Sequence, residues 1–138
     1  MRFMLLMMPQ DQDCQQAASN ARPSVDKVAA MMQFTAEMKL SGILLGVEGL
    51  HPPAKATRVT FGRDKNFITD GPFIETKEVL GGYWMIQVDS KTEAIEWAVR
   101  CPATVNDIIE IRQLQELNEF PAELQAVMTK FPDLQAHL

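Results

Sequence analysis

Thr69-Asp70-Gly71-Pro72-Phe73-Ile74-Glu75-Thr76-Lys77-Glu78-Val79-Leu80-Gly81-Gly82-Tyr83-Trp84 stands at mid-chain. It sets Asp70 just before a Gly-Pro turn, and Glu75, Lys77 and Glu78 between that turn and a Gly-Gly step. The Gly-Gly step feeds residues 83–88, in which Tyr83, Met85 and Gln87 alternate with Trp84, Ile86 and Val88. Side chains alternate across a strand, so this is a strand with two unlike faces. The stretch therefore joins a turn to a core strand, and what lies on either side decides the sheet.

Upstream, Thr57, Val59 and Phe61 alternate with Arg58 and Thr60, the pattern of a half-buried strand. Gly62-Arg63-Asp64-Lys65-Asn66 reads as a hairpin turn and Phe67-Ile68-Thr69 as the return strand. Residues 43–47 form an earlier strand interrupted by Gly46, and Glu48-Gly49-Leu50-His51-Pro52-Pro53 is a rigid connection after it. A helix opens at Pro23-Ser24, since proline suits the first helical turn. Val25, Val28, Met32 and Thr35 make one row along it, and Met31, Phe34 and Met38 the next. Together the rows predict an apolar face wide enough to lie on a sheet. Lys39 and Gly42 supply its C-terminal stop. Residues 9–22 are polar and read as a long surface loop carrying an exposed Cys14. Residues 3–8 are an unbroken apolar run, a strand covered on both faces or packed at an interface.

Downstream, Ser90 with Glu93 is a capping-box pattern. Ala94, Trp97 and Ala98 form the buried row of that helix, with Ile95 and Val99 beside it. Cys101-Pro102 ends it, with Cys101 as a small buried hydrophobe. Residues 108–114 are the last core strand, Glu110 and Arg112 on one face and Ile109 and Ile111 on the other. Residues 121–130 read as an amphipathic helix whose Leu124, Val127, Met128 and Phe131 pack on the core or on a second subunit. Residues 1–138 are thus one domain, with 115–138 as a C-terminal helical extension.

The order is β-α-β, a hairpin, β-α-β and a helical tail. It predicts an α+β, ferredoxin-like antiparallel sheet with two helices on one face. A second copy is the simplest cover for the other face, giving a homodimer. The net charge of -5 argues against a nucleic-acid footprint, which is normally basic. Six apolar residues between Arg2 and Pro9 are too few for a signal-peptide core or a bilayer span. Two cysteines with no Cys-x-x-Cys pair suit a reducing compartment, so a cytoplasmic protein is expected. Gly81-Gly82 lacks the flanking residues of a phosphate loop, and no cofactor is implied.

Asp70-Gly71-Pro72-Phe73-x-Glu75-x-Lys77-Glu78 followed by Gly82-Tyr83-Trp84 resembles the signature of the DGPF proteins, in the YCII-related group of the dimeric α+β barrel superfamily. Gly46-Val47-Glu48-Gly49-Leu50-His51-Pro52, Glu93-Ala94-Ile95-Glu96-Trp97-Ala98 with Cys101-Pro102, and Ile109-Glu110-Ile111-Arg112-Gln113 extend the likeness. The resemblance implies a ferredoxin-like subunit and a dimer whose two sheets face each other. It implies no single activity. Some relatives are fused to, or encoded beside, extracytoplasmic-function sigma factors, and a few are lyase-like enzymes on chlorinated aromatic intermediates. Those enzymes resemble one another in a His–Asp dyad whose His falls near Met31 here; this chain has only His51 and His137, so the dyad is not carried over.

The residues themselves leave alternatives open. Asp70 either accepts backbone hydrogen bonds in its turn or stands as a base or anchor at a cleft. Glu75 and Lys77 are either a solvated ion pair or an acid–base pair. His51 either packs on its prolines or transfers protons with Glu48. Arg58 can neutralise Glu48 or hold a bound anion, and Trp84 is core or the wall of an aromatic-binding pocket. His51, Glu48 and Asp70 could make a facial metal set, but no spacing demands it and no metal is expected. Two function classes follow. One is a small-molecule-binding dimer with carboxylate acid–base, lyase- or isomerase-like chemistry, using Asp70, Glu75, Lys77 and His51 on a ligand held by Glu48, Arg58 and Trp84. The other is a non-enzymatic accessory associated with a sigma factor.

Overall fold

The structure is a computed structural model, and it describes residues 1–10, 24–73 and 78–137. Residues 11–22 of the loop read at 9–22, with Cys14, and Pro23, Glu75 and Lys77 lie outside the described residues.

Four strands form one antiparallel sheet: β1 (Arg2–Met8), β2 (Leu44–Gly49), β5 (Gly82–Gln87) and β6 (Ile108–Gln113). Their order is β2-β5-β1-β6. With two crossover helices, α1 (Val25–Leu40) and α2 (Lys91–Val99), this is the split βαβ topology of a ferredoxin-like domain. Among the described residues, the hairpin strands β3 (Thr57–Phe61) and β4 (Asn66–Asp70) pair only with each other. A C-terminal helix α3 (Ala122–Met128) follows the sheet.

Register explains the two faces. Val47, Trp84, Leu5 and Ile111 are cross-strand partners in one row, on the helix side. Phe3, Leu5, Trp84, Ile86 and Val88 meet Phe34 and Met38 of α1 and Ala94 and Trp97 of α2 in the core. The next row holds Glu48, Tyr83, Leu6 and Glu110, on the opposite face. Met4 pairs with Met85 on that face too. The apolar run therefore alternates over residues 3–6: Phe3 and Leu5 are buried, while Met4 and Leu6 are half-buried on a face that no described helix covers.

Ser24 caps α1 by accepting from the Lys27 N–H at 3.2 Å. The expected wide apolar face of α1 is half realised. Phe34 and Met38 are buried, but Val25 is 83% and Met32 64% exposed. Every residue from 24 to 30 is exposed, so only the C-terminal half of α1 rests on the sheet. The helix ends where Gly42 takes φ +74, a region glycine enters without Cβ strain. Strand β2 runs on to Gly49, with its register shifting between Leu44 and Gly46. Ser90 caps α2 by accepting from Glu93 N–H, and the Glu93 carboxylate reaches back to the Asp89 N–H rather than to Ser90. Ile95 and Val99 face solvent rather than extending the buried row.

The hairpin departs most from expectation. All residues of β3 and β4 are exposed, including Phe61 at 81% and Ile68 at 75%. Alternation predicted a half-buried strand, but the hairpin forms its own two-stranded sheet, and among the described residues no layer covers it. The C-terminal extension is tied to the sheet by Arg2, whose guanidinium donates from Nε and Nη2 to the two Glu116 oxygens at 3.0 Å each. Beyond it, Leu124 and Val127 of α3 are half exposed, so this helix does not seat its apolar face on the core.

Candidate functional site

The central stretch acts first through its turn. Asp70 pairs across the hairpin with Thr57, whose hydroxyl donates to the carboxylate at 2.7 Å. Gly71 then donates its N–H to Ala56 O at 2.8 Å. The approach is so close that a Cβ at Gly71 would overlap the Pro53 carbonyl oxygen. The Gly71–Pro72 peptide is cis. The hairpin end is thus fastened to the 3₁₀ turn Pro53–Lys55, itself closed by Ala56 N–H to Pro53 O at 3.0 Å.

A second fastening lies opposite. Leu50 N–H bonds Gly81 O at 2.9 Å, and Gly81 N–H bonds Met7 O at 2.8 Å. These bonds hold residues 78–80 beside the start of the Leu50–Ala56 connection, with Val79 buried. Between the two fastenings is an open concavity of about 380 Å³. Leu50, Val79, Leu80 and Phe73 give it apolar walls; His51, Lys55, Arg58 and Glu78 supply its charged or titratable groups. Arg58 lies over the Phe73 ring, its Cζ 3.7 Å from the centroid, a cation–π contact.

The structure sorts the sequence candidates. His51 and Arg58 line the concavity. Asp70 does not; its carboxylate joins the strands of the hairpin. Glu48 is on the open sheet face, cross-strand from Tyr83, and is not a wall of the concavity with His51. Trp84 is not at the site. It is 4% exposed on the helix side, packs edge-on against Phe34 at 5.5 Å, and donates its indole N–H to Thr35 Oγ1 at 2.9 Å. An aromatic strand residue alternating toward the helices is drawn into the core by the area it buries. Among the described residues no cluster of His, Cys, Asp and Glu is placed to hold a metal. No described helix is long and apolar enough to cross a membrane.

Lys55, Phe73 and Glu78 also line the concavity and were not among the residues singled out from the sequence. Phe73 was visible as the aromatic residue after the Gly-Pro turn, but nothing local says that it meets Arg58. Lys55 sits in a Pro-Pro-Ala-Lys turn whose direction is set by its docking on Gly71.

Cys101 is half-buried beside Met31, with Sγ 3.8 Å from Sδ. Burial, with a smaller contribution from Asp107, pushes its thiol up to about 11, so it is an unreactive packing group.

The sheet order, the two helices on one face and the inserted hairpin define a ferredoxin-like α+β domain with a loop-built concavity at one end of the sheet. The chain matches the YCII-related domain over residues 1–118 and belongs to that family. The match ends before α3, so this helix lies outside the family's common region. No curated protein matches the chain.

Proposed function

We propose that this chain is a small-molecule-binding homodimer whose ligand sits in the concavity between the Leu50–Arg58 segment, Phe73 and residues 78–80. The observation that carries this reading is the convergence of His51, Lys55, Arg58 and Glu78 on a space with apolar walls. Ligand sites commonly combine a mainly apolar lining with a few placed polar groups. His51 and Glu78 are the imidazole and the carboxylate on its wall, so lyase- or isomerase-like acid–base chemistry would run through them rather than through Asp70. The half-buried Met4, Leu6, Tyr83 and Met85, on the sheet face that no described helix covers, support the dimer.

Fragment screening by thermal shift, with hits mapped by amide chemical shifts, tests the site. Expected hits move the resonances of residues 50–58 and 78–80 and lose affinity in His51→Ala. Hits that map only to the open sheet face would sink this reading. Sedimentation at micromolar concentration tests the dimer, and a monomer removes it.

The exposed Phe61 and Ile68 of the hairpin favour a second reading: an accessory that docks a protein such as an extracytoplasmic-function sigma factor. F61K and I68K together would abolish that docking and spare small-molecule binding. Docking that survives both changes removes the hairpin from the interface.

A further inference from the structure

We infer that the concavity selects a small organic anion, a carboxylate-type head carried on a compact apolar body; this rests on the reading of the concavity as the ligand site. Charge is the first argument. The chain carries a net charge of -5, yet among the described residues this space sets the Lys55 ammonium and the Arg58 guanidinium against the carboxylate of Glu78. A locally cationic hollow on an acidic protein concentrates anions and repels cations.

The second argument is the state of Arg58. Among the described residues, Arg2, Arg100 and Arg112 each meet a carboxylate, at 3.0, 2.6 and 3.7 Å. Arg58 meets none of the described carboxylates and lies instead over Phe73 at 3.7 Å. Stacking occupies the face of the guanidinium and fixes its plane. The N–H donors lie in that plane, at the rim, in the fork that matches a carboxylate. A stacked arginine that also lines a hollow is a preorganised anion receptor, because the rotamer entropy is already lost before the ligand arrives.

The third argument is the body of the ligand. Leu50, Val79, Leu80 and Phe73 offer only apolar contact, so a bare inorganic anion would leave them unused. The volume, about 380 Å³, is at the small end of the usual ~300–1,000 Å³ for ligand pockets and suits a single ring or short chain.

The probes are cyclohexanecarboxylate and its neutral isostere cyclohexanecarboxamide, titrated into the full chain by amide chemical shifts, with acetate and inorganic phosphate as heads without a body. The carboxylate is expected to shift residues 50–58 and 78–80. The carboxamide, acetate and phosphate should each bind at least about tenfold more weakly, as expected when a charged hydrogen bond or the apolar contact is lost. Arg58→Gln should weaken the carboxylate by a similar factor at an unchanged melting temperature. Lys55→Gln provides a second variant should Arg58→Gln disturb the hairpin. Equal binding of carboxylate and carboxamide at the concavity overturns the anion inference and leaves the pocket reading standing. Phosphate binding as well as the carboxylate overturns the need for an apolar body. Shifts from every probe confined to other surfaces, or no shifts at all, overturn both the inference and the pocket reading.

Discussion

The Trp84–Thr35 contact decides whether Trp84 belongs to the core or to a ligand, and its energetics can be worked out. The indole N–H donates to Thr35 Oγ1 at 2.9 Å, and that hydroxyl donates onward to Met31 O, also at 2.9 Å. Trp84 is 4% exposed, so Thr35→Val leaves its N–H facing a methyl group with little access to water. Orphaning a buried donor costs about 1–3 kcal/mol. For a chain of this length that lowers the melting temperature by roughly 3–10 °C. Trp84→Phe loses the donor and opposes the same hydroxyl with nothing, but Thr35 keeps its bond to Met31. Its cost is instead the volume and ring area lost beside Phe34, roughly 1–3 kcal/mol. The double variant should be less destabilised than the sum of the singles by about 0.5–1.5 kcal/mol, because the hydrogen bond is removed once. Urea unfolding followed by far-ultraviolet circular dichroism measures all four corners of the cycle. Additive single effects would refute the hydrogen bond. A Trp84→Phe protein of native stability that has lost ligand binding would refute the core assignment itself.

Three further outcomes follow from the same contacts. Gly71→Ala forces a methyl group into the Pro53 carbonyl oxygen, so urea unfolding should show a loss of roughly 1–3 kcal/mol, and concavity ligands should weaken as the hairpin end shifts; native stability with native binding contradicts the close approach. The side-chain hydrogen bond from Arg2 holds the Glu116 carboxyl below its ordinary 4.5, so this contribution is present above that pH and is lost as pH falls through the lower folded value. Acid titration monitored at Glu116 by NMR should therefore show its midpoint return toward the ordinary value in Arg2→Gln, and an unchanged midpoint counts against the pair. Cys101, raised to about 11 from 9.0, loses stabilisation as pH rises through that interval, and at pH 8 its thiolate fraction is only ~0.1%. In Cys14→Ser protein, iodoacetamide should modify it roughly a hundredfold more slowly when folded than in urea, and comparable rates would show that it is accessible.

Much of the fold was legible because its signals are local. The apolar run of β1, the apolar periods of β5 and α2, the Ser90 and Glu93 cap and the positive φ of Gly42 each depend on a few adjacent residues. The order of elements then left few topologies to consider, and β2-β5-β1-β6 is the one expected for a split βαβ chain. Periodicity could not say how far α1 overhangs the sheet, which depends on where a sheet edge falls. Nor could alternation in β3 show that the hairpin stands off the sheet, since a strand pattern does not name the layer that would cover it.

The site divides in the same way. The sequence alone determined the family, the turn at Asp70-Gly71 and the presence of His51 and Arg58 near strand ends. Only the tertiary structure decided which of these meet. Docking Gly71 on the Pro53–Lys55 turn brings Phe73 under Arg58, across fifteen residues of chain that no local rule relates. The same packing turned Trp84 inward to Thr35 and left Asp70 holding the hairpin together. A local signal is a property of neighbours in sequence; a pocket is a property of neighbours in space, and here the Gly71–Ala56 bond converts one into the other.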